Sequence, residues 1–146
     1  MKKIEEILDD WKKDATFDRT DLAVASGNVP ILHSKYMMLL GDAKKMKRKL
    51  DMDKARITRE LNDYYGGYCD VRDLTRMNRT PWPRKLMKNE IPEYIRSDDE
   101  YLKLVDRMSY VDDSIAVLSE IIKQINNRSF LIKDMIAWYQ LTEFSA

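Results

Sequence analysis

Two stretches of this chain concentrate side chains that can hold a phosphate backbone. The segment KKMKRKLDMDKARITR, residues 44–59, carries eight Lys or Arg, and VRDLTRMNRTPWPRKLMK, residues 71–88, adds six with Asp73 as its single acid. Tyr64, Tyr65, Tyr68 and Trp82 are interleaved with them. Cations that follow phosphates, set among rings on which unstacked bases rest, are the combination used to bind single-stranded nucleic acid. The residues nominated for that chemistry are Lys54, Arg56, Arg59, Tyr65, Arg72, Arg76, Trp82, Arg84, Lys85 and Lys88. Neighbouring tyrosines on a helix point about 100° apart, so Tyr64 and Tyr65 cannot share one face. Tyr64 continues an apolar register, which leaves Tyr65 to meet a base. Gly66 and Gly67 then end the helix and let a strand approach the backbone.

Catalytic chemistry is poorly supplied. His33 is the only histidine and Cys69 the only cysteine, so no cysteine zinc site or internal disulfide is possible. No phosphate-binding glycine loop, dinucleotide fingerprint or nucleophile elbow occurs. The acidic pairs Asp9-Asp10, Asp98-Asp99 and Asp112-Asp113 are adjacent in sequence, which separates their side chains on a helix instead of converging them on a metal. No enzyme activity, cofactor or metal is expected. The competing reading is a coiled-coil scaffold or adaptor without DNA affinity. There the basic helix face is simply solvated or pairs with Asp98, Asp99, Glu100, Asp106, Asp112 and Asp113 at the start of the last helix.

The periodicity that must place these residues is helical throughout. Ile4, Ile7, Leu8 and Trp11 repeat at helical spacing and predict a short first helix over 2–13. Ser26-Gly27-Asn28 reads as a breaker and cap, so a second helix is expected from Val29 or Pro30 to about Tyr65. Its seam is Leu32, Tyr36, Leu39, Ala43, Met46, Leu50, Ile57 and Tyr64. Residues 68–96 form a connection with a turn or two of helix around Val71 to Met77, and its three prolines exclude one continuous helix. SDDE at 97–100 reads as a capping box opening a final helix. There Tyr101, Leu104, Met108, Val111, Ile115, Leu118, Ile122, Ile125, Ser129, Ile132, Ile136 and Tyr139 keep 3-4 spacing. Apolar residues outside that seam call for a second neighbour. Ile122, Ile125, Phe130, Ile132, Met135, Ile136, Trp138 and Tyr139 are therefore nominated for oligomerisation. The expectation is an all-α protein: a long helical hairpin with a short N-terminal helix. A basic region at 1–96 precedes a C-terminal oligomerisation helix at 97–146.

Composition agrees with one helical protomer: 146 residues, 44% apolar, 35% charged, and only 4 glycines and 4 prolines. The net charge of +1 conceals 16 Lys or Arg against 9 Asp or Glu between Lys35 and Arg96, an asymmetry suited to a polyanion or to head-to-tail self-association. No apolar run approaches the roughly 20 residues needed to cross a bilayer, and acids occupy the opening stretch, so a cytosolic location without membrane contact is expected.

LHSKYMMLL, DYYGG, PWPRKLMKNEIPEYI and above all IIKQINNRSFLIKDMIAWYQ resemble, in this order, the UvsY family of recombination mediators from T-even-type phages, especially its marine cyanophage-type members. The resemblance implies a non-enzymatic factor in the host cytoplasm that loads a RecA-like recombinase onto single-stranded DNA coated by single-strand DNA-binding protein. It also implies contacts with both proteins and a ring-like homo-oligomer of heptameric type. In the family a K-A-R-L-type motif tied to DNA binding leads directly into paired tyrosines. Here KARI occupies 54–57 and TRELND intervenes before Tyr64. Alignment on the motif selects Lys54 and Arg56; alignment on the tyrosines selects Arg59.

Overall fold

The computed structural model describes residues 1–145, which form five helices and, among the described residues, no strand: α1 (Ile4–Asp14), α2 (Leu22–Tyr65), α3 (Val71–Met77), α4 (Ile91–Arg96) and α5 (Asp99–Ser145). The all-α expectation, with a short first helix and a long last one, holds. The chain divides into two units, one formed by Met1–Met46 with Val111 onward and the other by Lys47–Tyr110. α2 and α5 contribute to both.

In the first unit Tyr36, Leu40 and Ala43 of α2 share a core with Leu118, Ile121 and Ile125 of α5 and Ile7 of α1. The end of α1 is held at Asp14. Tyr36 Oη donates to its Oδ2 at 2.8 Å and Lys35 Nζ at 2.6 Å, and Arg128 Nη2 donates to its carbonyl at 2.7 Å. The Arg128 guanidinium lies 5.8 Å from the Trp11 ring and 5.1 Å from Phe17. A cation from α5 thus closes the carbonyl end of α1, where the helix dipole favours positive charge. Arg128→Ala is expected to cost this unit about 1.5–3 kcal/mol, the range for hydrogen bonds to charged groups. Arg128→Met should recover the share that comes from side-chain packing. Urea unfolding monitored at Trp11 checks both.

Two expectations are corrected. α2 begins at Leu22, not near Val29: Asp21 caps it by accepting from Val24 N–H at 3.2 Å, and Leu22, Ala25, Val29 and Leu32 already follow the inward spacing. Pro30 is tolerated inside α2 because it removes only the donor for the Ser26 carbonyl, on exposed positions where solvent can substitute. α5 is capped by Asp98, whose Oδ1 accepts from the backbone N–H of Glu100 at 3.0 Å and Tyr101 at 3.3 Å. Ser97 instead closes α4, donating to the Glu93 carbonyl at 3.0 Å.

The buried stripe of α5 runs Val111, Ser114, Leu118, Ile121, Ile125, Arg128, Ile132, so the polar members are Ser114 and Arg128, while Ser129 is exposed. Ile125 and Ile132 are therefore buried inside the protomer, Ile122 and Met135 are half-buried, and Phe130, Ile136, Trp138 and Tyr139 face outward.

Candidate nucleic-acid interface

The second unit is built on the end of α2. Gly67 adopts φ +78°, its N–H donates to the Tyr64 carbonyl at 3.2 Å and the Tyr68 N–H to Asp63 at 2.9 Å, a pairing that closes the last turn and needs glycine at the left-handed position. A Cβ on Gly66 would stand 2.9 Å from the Tyr68 ring and from the Asn62 carbonyl. The glycine pair therefore sets the exit path of the chain and gives the Tyr68 ring its place over Gly66.

α3 ends the same way. Asn78 takes φ 53°, the Asn78 N–H reaches the Thr75 carbonyl and the Arg79 N–H the Leu74 carbonyl. This turn delivers Arg79 onto Asp98, with Nη1 to Oδ2 at 2.8 Å and Nη2 to Oδ1 at 2.9 Å, and Nη2 to Glu100 Oε2 at 3.2 Å. Its guanidinium lies 4.9 Å from the Tyr64 ring. Tyr65 Oη donates to the same carboxylate at 2.6 Å, and Tyr64 Oη donates to the Thr80 carbonyl at 2.8 Å. Burial alone pushes the Asp98 carboxyl up, yet hydrogen bonds from Arg79 and Tyr65 outweigh it and hold it below the usual range. Burial, then the bond to Asp98, pushes the Tyr65 phenol up to about 12.

Tyr65 is thus not available to a base. It packs edge-on to Tyr64 at 5.1 Å and Trp82 at 4.8 Å and lies 5.8 Å from Tyr94, within a core that also includes Leu61, Ile91 and Ile95. The expected division between an inward Tyr64 and an outward Tyr65 fails because the connection 68–96 folds back over the helix end and covers both. Trp82 belongs to this cluster as well; its Nε1 is buried without a hydrogen-bond partner. The exposed ring is Tyr68, 77% accessible. It stands among the interleaved aromatics of the sequence, and the signal that singles it out is its place two residues past the helix-ending Gly66.

The nominated cations stay on the surface. Arg56, Arg59, Arg72, Arg76, Arg84, Lys85 and Lys88 are exposed, while Lys54 is half-buried with Nζ 5.9 Å from the Tyr101 ring. Arg56 pairs with Asp53 at 3.1 Å and Arg76 with Asp73 at 3.4 Å, one turn apart and exposed, contacts worth about 0.2–0.5 kcal/mol each. Either is easily exchanged for a phosphate. Arg56 and Arg76 line one open groove with Ile57, Glu60, Met77 and Glu100, whereas Arg84 donates to Tyr94 Oη at 3.0 Å on the far side of the aromatic cluster. Arg59 lies three residues beyond Arg56 and so shares its helix face; Lys54 points elsewhere. No group of three or more metal-ligating side chains occurs among the described residues.

A sequence profile for the family described as recombination, repair and ssDNA binding protein UvsY matches residues 10–143. The chain belongs to the UvsY family. The recombination protein uvsY of Enterobacteria phage T4 is 25% identical over 131 residues, covering 90% of each chain. Crystal structures of the bacteriophage T4 recombination mediator protein UvsY share the fold. One superposes with a TM-score of 0.84 at 22% identity, covering 98% of this chain and 99% of that one, and a second lattice form gives 0.84 at 21%, covering 96% and 99%. UvsY-family membership accounts for the recombination and repair role anticipated from the sequence, and no helix among the described residues is long and apolar enough to cross a membrane.

Proposed function

We propose that this chain is a single-stranded DNA-binding recombination mediator that helps place a RecA-like recombinase on DNA coated by single-strand DNA-binding protein. It acts without catalysis, as a homo-oligomer, in the host cytoplasm during phage infection. The observation that carries the reading is the family match over 10–143. The surface of the second unit supplies chemistry that suits it: Arg56, Arg59, Arg72 and Arg76 for phosphates, and the Tyr68 ring for a base. Labour divides between a DNA-contacting region within 1–96 and an assembly helix within 97–146. Phe130, Ile136, Trp138 and Tyr139 are among the exposed apolar residues there. Displacing a tightly held coat needs many phosphate contacts made together, and linked subunits, as in a ring of heptameric type, turn weak individual contacts into strong ones through effective concentration.

Binding to a labelled oligonucleotide across a salt series tests this. The expected result is log K falling steeply with log salt, by roughly 0.7 for each phosphate contacted on a single strand. Weak binding at every salt concentration would leave the scaffold reading in its place. Mediation itself is read as a shortened lag in recombinase ATP hydrolysis on coated DNA.

A further inference from the structure

The connection between α3 and α4 presents a second cationic surface, apart from the helix end. From Leu74 to Asn89 the chain carries no acid. Arg84, Lys85 and Lys88 are exposed there around Met87, itself 68% exposed. Among the described residues none of these cations has an ion-pair partner, whereas Arg56, Arg76 and Arg79 each face a carboxylate. Arg84 is held by a neutral group instead: Nη1 donates to Tyr94 Oη at 3.0 Å and the guanidinium lies 5.9 Å from that ring. Its charge is positioned but not neutralised.

The segment is also fixed, so little order has to be gained when something binds to it. Trp82 and Leu86 pack against the core of Leu61, Tyr65, Ile91 and Ile95, and Pro81 and Pro83 restrict the backbone on either side of the tryptophan. Glu90 closes a turn with Met87: its Oε2 accepts from the Met87 N–H at 2.9 Å, and its own N–H donates to the Met87 carbonyl at 3.0 Å. With Leu86 packed inward, Lys85 and Met87 are left outside. A long apolar side chain is thus held in solvent between cations by an anchored backbone.

We infer that Arg84, Lys85, Met87 and Lys88 form a docking surface for an acidic segment of a partner protein, one in which carboxylates flank an apolar side chain. The unpaired cations select an anionic partner, and the remaining chemistry selects peptide over nucleic acid. A single strand asks for ring faces as well as cations, but the rings of this region, Trp82 and Tyr94, are packed with Tyr65 in the aromatic cluster. The group on offer is a flexible thioether, which adapts to apolar side chains of varied shape. Beside it stands an oriented guanidinium, the cation best suited to a carboxylate. This surface adds to the proposed function without depending on it: Arg56, Arg59 and Tyr68 hold the strand, and this segment holds a protein.

Fluorescence anisotropy on the whole chain tests this with separate probes, a short labelled peptide of Asp and Glu around a central leucine, and a labelled oligothymidylate. The peptide is expected to bind, and oligothymidylate should not displace it. Arg84→Ala combined with Lys85→Ala and Lys88→Ala should weaken the peptide roughly tenfold, the scale of a few exposed ion contacts, with oligothymidylate bound as by the parent. Because Arg84 also contacts Tyr94, Lys85→Ala with Lys88→Ala serves as a variant that breaks no ion pair, and it should weaken the peptide in the same direction. Met87→Gln should weaken the peptide with its salt dependence unchanged, since an apolar contact is not screened. No peptide binding by the parent, or parental binding in these variants, would overturn the inference. Displacement by oligothymidylate, or an equal loss of both probes, would overturn it by making the segment part of the DNA surface. A parent that binds the peptide but not oligothymidylate would overturn the DNA reading alone.

Discussion

Asp98→Ala is expected to lower the stability of the Lys47–Tyr110 unit by about 3–5 kcal/mol, the range for removing one partner of a buried, hydrogen-bonded ion pair. One carboxylate satisfies the Arg79 fork, the Tyr65 hydroxyl and two backbone N–H groups at the start of α5. Its loss strands a guanidinium that is itself largely buried and removes the helix cap. Asp98→Asn should cost less, since an amide oxygen can still accept from the backbone, but it leaves Arg79 without its main counter-charge. Amide hydrogen exchange at Leu61 to Tyr65 reads this unit separately from the other. Protection there should fall in both variants, most in Asp98→Ala.

The same cluster fixes a pH window. The folded Asp98 carboxyl lies below its ordinary value, so its contribution is complete above about pH 4, where an unfolded carboxylate is ionised, and is lost as pH falls through the depressed folded value. Tyr65 acts at the other end. Its folded phenol is raised to about 12, so its contribution is complete below about pH 10, the ordinary tyrosine value, and is lost as pH climbs toward the folded one. A plateau in protection between these limits is expected, and Asp98→Asn should flatten its acid edge.

Long-range periodicity made the helices legible, and local chemistry decided what periodicity missed. In α5 the apolar Ile115 and Ile122 kept the expected seam in phase through Ser129, but the buried side of the helix there is taken by Ser114, Ile121 and Arg128. A polar residue is buried there because it has a job: Arg128 closes the end of α1. In α2 the inward Ala25 is too small to announce itself, and Gly27 and Pro30 look like punctuation although neither meets an obstacle. Four-residue signals fared the same way, since SDDE contains both a serine and an aspartate able to cap and only tertiary contact with Arg79 selects the aspartate. The exposed cations of the candidate site were readable as a set. The burial of Tyr65 was not, because it depends on a 29-residue connection folding back so that Trp82 and Tyr94 meet a helix end far from them in sequence.

That reversal makes Tyr68 the proposed base contact and separates stacking from folding. Tyr68→Ala is expected to weaken single-stranded DNA binding by roughly 1–3 kcal/mol, the range for one base-stacking ring, with the salt dependence unchanged because stacking releases no counterions. The Tyr68 side chain is exposed, so the melting temperature should hardly move. Arg56→Ala with Arg59→Ala should do the converse, flattening the salt slope by roughly 0.7 for each phosphate no longer held while stability stays near that of the parent, since only the exposed pair with Asp53 is broken. Tyr65→Ala opens a cavity at the centre of the aromatic cluster and deletes a bond to Asp98, at a cost of about 3–5 kcal/mol. It should abolish binding only by unfolding the unit. Normal binding by Tyr68→Ala alongside a weakened arginine pair would reduce the helix end to a cationic surface without stacking. Normal binding in both would remove the helix end from the interface and shift the phosphate contacts to Arg76, Arg84 and Lys85 in the connection, where Arg84 is already fixed against Tyr94.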